Sequence, residues 1–137
     1  MTTDAELVTR VFSAWNRGDL EAFAAHAAPD IKWVEVQGRP EVGELHGREV
    51  VKDALGSLYE AWENYRLEPE EVREVGSRVL AVVREVARAR RSGLTIGSLW
   101  GYVITIRDAK VVRVEAYRDP SDARAALGLC EEPPPQP

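Results

Sequence analysis

The chain has 137 residues, of which 45% are hydrophobic and 30% are charged, and its formal net charge is -5. This length and balance predict a soluble globular protein with one hydrophobic core. The negative charge, without a basic stripe interleaved with aromatic residues, argues against a nucleic-acid-binding protein.

The single cysteine and the two termini indicate a cytoplasmic protein. Cys130 has no partner for an internal disulfide, which fits a reducing compartment. The N-terminal segment is acidic and amphipathic, unlike a signal peptide, and no apolar run is long enough to span a membrane. Residues 131–137 contain three consecutive prolines, two acidic residues and no apolar side chain to bury. We therefore expect a disordered tail there, after a single domain over residues 1–130.

Three helices are predicted in the first half of the chain. Thr3 and Glu6 have the spacing of a capping box, and apolar residues follow at helical spacing. Asp19 is suited to cap a second helix over LEAFAAHAA. A third helix is expected after the segment QGRPEVGELHG, with an apolar face that runs from Val51 to Trp62.

A short strand, PDIKWVEVQGRP at residues 29–40, separates the second and third predicted helices. Alternation places Glu35 on the same face as Ile31 and Trp33. A carboxylate on an apolar face has two interpretations: the face meets water at this point, or the acid points into a pocket.

The second half of the chain predicts four antiparallel strands after Asn64, joined by short turns. A short final helix is expected to open at 119–121 and to end at Gly128. Helices segregated from such a meander form an α+β domain. Gly97 and Gly101 are placed to bend one long strand. Both faces of the sheet carry apolar residues, so we expect each face to be covered by other parts of the protein or by a partner.

With these elements the sequence resembles the NTF2-like superfamily, in its SnoaL-like and ketosteroid-isomerase-like branch. The resemblance is carried by AWNRGDLEAFAAHAAPDIKW, GELHGREVVKDAL and YVITIRDAKVVRVEAYRDPSDARAALGL, and extends from about Asp4 to Leu129. It implies an NTF2-like cone, with three N-terminal helices over a curved antiparallel sheet, and a homodimer through the outer sheet face. Function is implied less specifically, because this fold hosts isomerases, cyclases, hydrolases, dehydratases and non-catalytic binding modules. Ala109 stands where the turn of such proteins usually has glycine.

The resemblance also implies an acid/base site. Ketosteroid isomerases use a carboxylate base and an oxyanion hole made of a tyrosine and a protonated aspartic acid. In this sequence the base position falls on Glu35, and the protonated-acid position falls on Tyr102, whose phenol can donate a hydrogen bond. The first-helix tyrosine position falls on Val11 or Phe12, so that donor is missing. The resemblance thus favours cofactor-free proton transfer on a small apolar ligand, as in an isomerase or a cyclase, over steroid isomerisation itself.

A second set of polar residues lies in and after the later strands: Glu85, Glu115, Tyr117 and Asp119. The resemblance to SnoaL-like cyclases implies an acid/base role for Asp119, but its place before Pro120 suits a helix cap equally well. Glu85 is either in the pocket or in a surface ion pair with Arg84 or Arg113.

The complete predicted pocket combines aromatic and polar side chains: Trp15, Trp33, Tyr59, Trp62, Glu85, Trp100, Glu115 and Tyr117. We expect His26 on the exposed face of the second helix and His46 in the following loop; their spacing is not that of metal ligands. The predicted site therefore contains no metal and no cofactor. Three functions stay open: an acid/base enzyme with Glu35 as base, a non-catalytic ligand-binding module, and a structural dimerisation domain.

Overall fold

The computed structural model describes residues 3–36 and 43–129, so Cys130 and the predicted tail lie outside the described residues. The elements in chain order are α1 (Asp4–Asn16), α2 (Leu20–Ala25), β1 (Ala27–Glu35), β2 (Glu44–His46), α3 (Arg48–Ala61), β3 (Trp62–Val75), β4 (Arg78–Ala89), β5 (Thr95–Arg107), β6 (Lys110–Tyr117) and α4 (Pro120–Ala126). Each predicted element has a counterpart in the described ranges, but α2 ends at Ala25, before the predicted end of the helix, since Ala27 already belongs to β1. Residues 37–40 of the strand predicted at 29–40 lie outside the described ranges, and β2 is an addition that the sequence did not indicate. None of the helices in the described ranges is long and apolar enough to cross a membrane.

The six strands form one open, curved sheet in the order β2-β1-β6-β5-β4-β3. Neighbouring strands are antiparallel except β1 and β6, which run parallel. The parallel pairing places Glu35 beside Ala116, and Ala116 is also the partner of Tyr102 in β5. Two positions far apart in the sequence, Glu35 and Tyr102, therefore flank one small residue.

Local signals fix where the helices begin more closely than where they end. The Thr3 side chain accepts a hydrogen bond from Glu6 N at 3.1 Å, as a capping residue does. The third helix is one residue shorter than predicted, because Trp62 has extended backbone and pairs with Ala89 of β4. Trp62 therefore does not belong to the apolar face of α3: sheet pairing overrides the helical spacing of the sequence.

The larger apolar cluster lies between the three N-terminal helices and the inner face of the sheet. Val8 of α1 and Leu67, Val79 and Val83 of the strands are fully buried in it, and each contributes about 1.5–3 kcal/mol to stability. The Asn16 side chain joins the end of α1 to β3: it donates to Leu67 O at 2.9 Å and accepts from Leu67 N at 2.8 Å. The predicted α+β arrangement, with three N-terminal helices over one curved sheet, is confirmed.

The last helix, α4, covers part of the opposite, outer face of the sheet. A second apolar cluster forms there from the strands and the helix, and consists of Leu80, Val82, Val103, Tyr117, Ala123 and Leu127. Gly101 of β5 lies directly beneath this helix, since a Cβ at that position would lie 2.7 Å from Ala123 Cβ. The sequence predicted that the outer face of the sheet is covered as well as the inner face. Over this region α4 of the same chain covers it.

The turn between β5 and β6 has a backbone that glycine adopts more easily than alanine. Asp108 has φ 52° and Ala109 has φ 60°, and two-residue hairpins of this kind require positive φ at both positions. Alanine at this turn is therefore a departure that costs conformational energy without changing the strand pairing.

A carboxylate at the edge of the sheet ties α4 to β3. Arg124 donates to both carboxylate oxygens of Glu71, to Oε2 at 3.1 Å. This hydrogen-bonded pairing lowers the pKa of Glu71 below its ordinary value of 4.5. A carboxyl group whose pKa is lower in the folded than in the unfolded protein stabilises the folded state at pH values above its unfolded pKa. This stabilisation is lost as the pH falls through its folded pKa.

Glu71→Gln should therefore destabilise the protein at pH 7 and lose that effect in acid. Urea unfolding of wild type and variant at several pH values between 3 and 7 measures the difference in unfolding free energy. Glu68→Gln is the matched control, because the Glu68 carboxylate lies 3.9 Å from Arg66 in an exposed pair. A difference for Glu71→Gln that stays constant across this range would contradict the assignment.

Candidate functional site

A cavity of about 90 Å³ lies between α1, α3 and the inner face of the sheet. We call it the Glu35 cavity, and its lining consists of Trp15, Trp33, Glu35, Leu45, Val51, Ala54, Leu55, Leu58, Tyr65 and Tyr102. Glu35 is the one charged side chain among these lining residues. Of the two interpretations of Glu35 that the sequence left open, the structure favours the one in which the acid points into a pocket.

Glu35 and Tyr102 reach the cavity because the residue between them is small. Ala116 separates the two on the inner face of the sheet, and its methyl group leaves space for both longer side chains. One carboxylate oxygen of Glu35, Oε2, is buried. The structure thus brings together the two residues to which the family resemblance gave the base and donor positions.

Four aromatic side chains form a continuous wall of the Glu35 cavity. Successive ring centroids along the wall are 6.0 Å apart for Tyr65 and Trp15, 5.9 Å for Trp15 and Trp33, and 5.8 Å for Trp33 and Tyr102. The two indole rings are stacked at 26°, whereas Tyr102 meets Trp33 edge-on. Such pairs hold each other in defined orientations, so this side of the cavity is largely preformed.

A second, smaller void of about 20 Å³ lies behind this wall, towards α1 and α2. It shares Trp15, Trp33 and Tyr102 with the Glu35 cavity and has room for about one water molecule. His26 lines it and is half-buried, which corrects the expected exposed position. Burial, followed by the nearby charges of Lys110 and Arg10, lowers the pKa of His26 below its ordinary value.

A buried tyrosine–carboxylate pair lies at the side of the Glu35 cavity. The Tyr65 hydroxyl donates to Oε2 of Glu85, and Glu85 is only 2% exposed. The alternative of a surface ion pair is wrong, because Glu85 is on the inner face and Arg84 instead pairs with Glu70 at 3.0 Å. Tyr65 lines the cavity and was not predicted; the signal available in the sequence was its alternation with Leu67 along β3.

Three of the predicted site residues lie on the outer side of the sheet, away from the Glu35 cavity. The Tyr117 hydroxyl donates to Glu115 at 3.2 Å, and Glu115 also pairs with Arg113 at 3.3 Å. Asp119 caps α4, where it accepts a hydrogen bond from Ser121 N at 2.9 Å. Alternation along β6 separates these residues from the cavity, so the structure does not bring them to Glu35.

The remaining predicted pocket residues pack against the core without lining either cavity. Tyr59 donates its hydroxyl to the backbone oxygen of Trp15, and burial raises the pKa of Tyr59 to about 12. Trp62 is half-buried at the edge of the same cluster. Trp100 is buried, and the guanidinium of Arg118 lies 5.5 Å from the centroid of its ring. These three aromatic residues pack in the apolar cluster around the Glu35 cavity and do not line it.

The described ranges contain no group of three or more His, Cys, Asp or Glu residues that could hold a metal ion. His46 is exposed and lies 3.1 Å from a carboxylate oxygen of Glu44 in the same short strand. The expected loop position of His46 is therefore wrong, because it pairs with Lys32 as the last residue of β2, whereas the expected local contact of its side chain is present.

Comparison with known proteins agrees with this architecture. The model of the SnoaL-like domain matches residues 8–114. A solved NTF2-like protein from Burkholderia thailandensis E264 is 28% identical, with a TM-score of 0.76 over 90% of this chain and 98% of that chain. No curated protein matches the chain.

Two further solved structures carry small molecules. A Catenulispora acidiphila DSM 44928 protein with a ketosteroid isomerase-like fold, solved in complex with trimethylamine, is 19% identical with a TM-score of 0.75 and covers 93% of this chain and 95% of that chain. TerC, co-crystallised with polyporic acid, is 23% identical with a TM-score of 0.73 and covers 90% of this chain and 96% of that chain. These likenesses confirm the predicted NTF2-like fold.

Proposed function

Since the chain belongs to the SnoaL-like domain family, we propose that it binds a small, largely apolar molecule in the Glu35 cavity. The observation that carries this proposal is the lining, in which one carboxylate is set into an otherwise aromatic and aliphatic wall. Few polar groups in an apolar concave site are typical of ligand pockets. The cavity volume of about 90 Å³ is well below the roughly 300–1,000 Å³ of pockets for drug-sized ligands, so a ligand of few heavy atoms fits best.

The small molecules bound by two proteins of similar fold support this proposal in a general way. One of them is an amine and the other is an acid. Because both proteins share less than a quarter of their residues with this chain, they support the binding of small molecules by this fold and leave both the ligand and its binding site open.

As an enzyme, the protein would transfer a proton without a cofactor. In this mechanism the Glu35 carboxylate takes a proton from a carbon next to a carbonyl group of the ligand. Tyr102 donates a hydrogen bond to the carbonyl oxygen, where negative charge develops, and Glu35 then returns the proton to carbon. The apolar wall excludes water and so strengthens both interactions. We propose no role at the cavity for Asp119, Glu115 or Tyr117, given their place on the outer face.

Glu35→Gln is expected to abolish proton transfer while it nearly preserves the shape of the cavity. Nuclear magnetic resonance in deuterated water follows the exchange of the hydrogens next to the carbonyl of cyclopentanone, and so needs no knowledge of the product. We expect at least about a 10²-fold loss of enzyme-dependent exchange in the variant, because glutamine cannot accept the proton. Glu115→Gln, on the outer face, is the matched control and should exchange like the wild type.

The same experiment separates the enzyme from its alternative, a non-catalytic binding module. Ligand-induced shifts of the indole signals of Trp15 and Trp33 without any exchange would favour the binding module. Equal exchange by wild type and Glu35→Gln would remove Glu35 from the chemistry.

We also propose a homodimer through the part of the outer sheet face that α4 leaves uncovered. Leu99 is 36% exposed there, and its neighbour across the strands is Arg84, which also faces outward. The apolar area left for a dimer interface on this face is smaller than the sequence implied, because α4 already covers Leu80 and Val103. Light scattering at micromolar concentration tests the proposal: a mass of 15.3 kDa, that of one chain, would contradict it. In a dimer, Leu99→Glu should favour the monomer.

A further inference from the structure

Trp33 lies at the boundary between the Glu35 cavity and the smaller void behind the aromatic wall, which we call the inner void. Both spaces are lined by Trp15, Trp33 and Tyr102. In this row of rings Trp33 stands between the other two, with its centroid 5.9 Å from that of Trp15 and 5.8 Å from that of Tyr102. A small side chain in place of the Trp33 indole would therefore leave a gap that joins the two spaces.

The two neighbours of Trp33 are also held by other rings. Trp15 packs edge-on against Phe23 at 5.7 Å, and Tyr102 packs against Phe12 at 6.3 Å. Trp15 is 4% exposed and Tyr102 is 5% exposed, whereas Trp33 is half-buried. Trp15 and Tyr102 are thus fixed in the core, and a smaller residue at position 33 should leave them in place.

The inner void has the chemistry of an apolar subsite. Apart from His26, its lining is aliphatic and aromatic, with Val8 and Val11 of α1 facing Ile104 and Val114 of the sheet. Its volume of about 20 Å³ has room for about one water molecule, so it cannot by itself hold a ligand of several heavy atoms. It can receive such a ligand only as an extension of the Glu35 cavity.

From these observations we infer that Trp33 sets the upper size of the ligand. Its indole restricts the Glu35 cavity to molecules the size of a single small ring, and the inner void is the closed end of the same chamber. The inference rests on the proposed small-molecule binding at this cavity, and it adds the size class of the ligand and the residue that determines it. Trp33 acts here through its bulk alone, so the charge of Glu35 does not enter the inference.

The test compares cyclopentanone with 1-indanone, which carries a benzene ring fused to the same five-membered ketone. Both molecules are neutral, so they differ chiefly in size and apolar surface. Nuclear magnetic resonance titrations of the wild-type protein measure both dissociation constants. We expect 1-indanone to bind at least about tenfold more weakly, although its additional apolar surface would tighten binding in a site with room for it.

Trp33→Val should remove this size limit. We expect the affinity for 1-indanone to rise at least about tenfold, because the fused ring takes the space that the indole leaves, while the affinity for cyclopentanone changes much less. Valine is suited to the strand in which position 33 lies. Trp62→Val is the matched control, because the Trp62 indole packs in the same apolar cluster without lining either space. It should keep the wild-type preference.

A substitution in the inner void tests whether the larger ligand reaches it. Val11 lines the inner void but not the Glu35 cavity, and Val11→Ile adds one methylene there. In the wild-type background this change should leave cyclopentanone binding as it is. Combined with Trp33→Val, it should weaken 1-indanone binding at least about threefold, because the methylene occupies part of the opened space. An equal affinity for 1-indanone with and without Val11→Ile would contradict the joining of the two spaces.

The outcomes separate this inference from the function on which it rests. If the wild type binds 1-indanone as tightly as cyclopentanone, or if Trp33→Val brings no gain, the size limit is not set by Trp33 and small-molecule binding stands. If neither ketone binds wild type or variant at millimolar concentration, the proposed binding function fails and this inference fails with it. Should Trp33→Val not fold, Trp33→Phe takes its place with an expected gain of about threefold, and no gain in that variant counts equally against the inference.

Discussion

The Gly101→Ala protein is expected to have an unfolding free energy about 1–3 kcal/mol below that of the wild type. A Cβ at this position would lie 2.7 Å from Ala123 Cβ and 2.9 Å from Pro120 Cα. Because the second of these atoms is backbone, no side-chain rotation relieves the clash, and α4 must move away from the sheet. That movement loosens the outer apolar cluster around Leu80 and Val103. Urea unfolding followed by tryptophan fluorescence measures the change.

Gly97→Ala is the matched control for this substitution. Gly97 lies in the same strand, its φ is not in the left-handed region, and an added Cβ would meet nothing within 4 Å. Alanine there reduces the freedom of the unfolded chain and should leave stability unchanged or raise it by up to about 1 kcal/mol. An equal loss for both variants would show that the strand needs glycine for its bend. A loss at Gly101 alone would show that it needs glycine for the close approach of α4.

Tyr65→Phe is expected to cost about 1–3 kcal/mol of unfolding free energy, although it removes a single oxygen atom. The ring stays in contact with Trp15 and Tyr59, so packing is nearly preserved. The cost arises at Glu85, which is 2% exposed and loses a hydrogen bond that water is poorly placed to replace. Chemical unfolding at neutral pH measures it.

A second tyrosine–glutamate hydrogen bond provides the control. Tyr117 donates to Glu115 at 3.2 Å on the outer side of the sheet, where the Glu115 side chain is 19% exposed and keeps its ion pair with Arg113. Tyr117→Phe should therefore lower the unfolding free energy by less than about 1 kcal/mol, since water and Arg113 still form hydrogen bonds or an ion pair with the Glu115 carboxylate. Similar costs for the two substitutions would contradict the importance that we attach to burial of the Tyr65–Glu85 pair.

Local patterns in the sequence predicted most of the architecture because the interactions behind them are local. The cap at Thr3 and the apolar stripe from Leu7 to Trp15 determine α1 within one stretch of chain. Strand alternation likewise placed Glu35 on the face of Trp33, since successive side chains point to opposite sides. The errors came where distant pairing decides: Trp62 joins β3 because Ala89 is its partner, and β2 is too short to leave a periodic signal.

The sequence by itself determined which side chains share a face, whereas only the tertiary structure decided what covers each face and which residues meet. Alternation along β6 groups Glu115 with Tyr117, but it does not say that this face lies on the side of α4, away from the cavity. The parallel pairing of β1 with β6 brings Glu35 and Tyr102 to the two sides of Ala116. The Tyr65–Glu85 pair likewise arises where β3 lies beside β4. The physical reason is that a period of two specifies orientation along one strand, while neighbours across a sheet are set by the register and order of strands that the chain brings together from a distance.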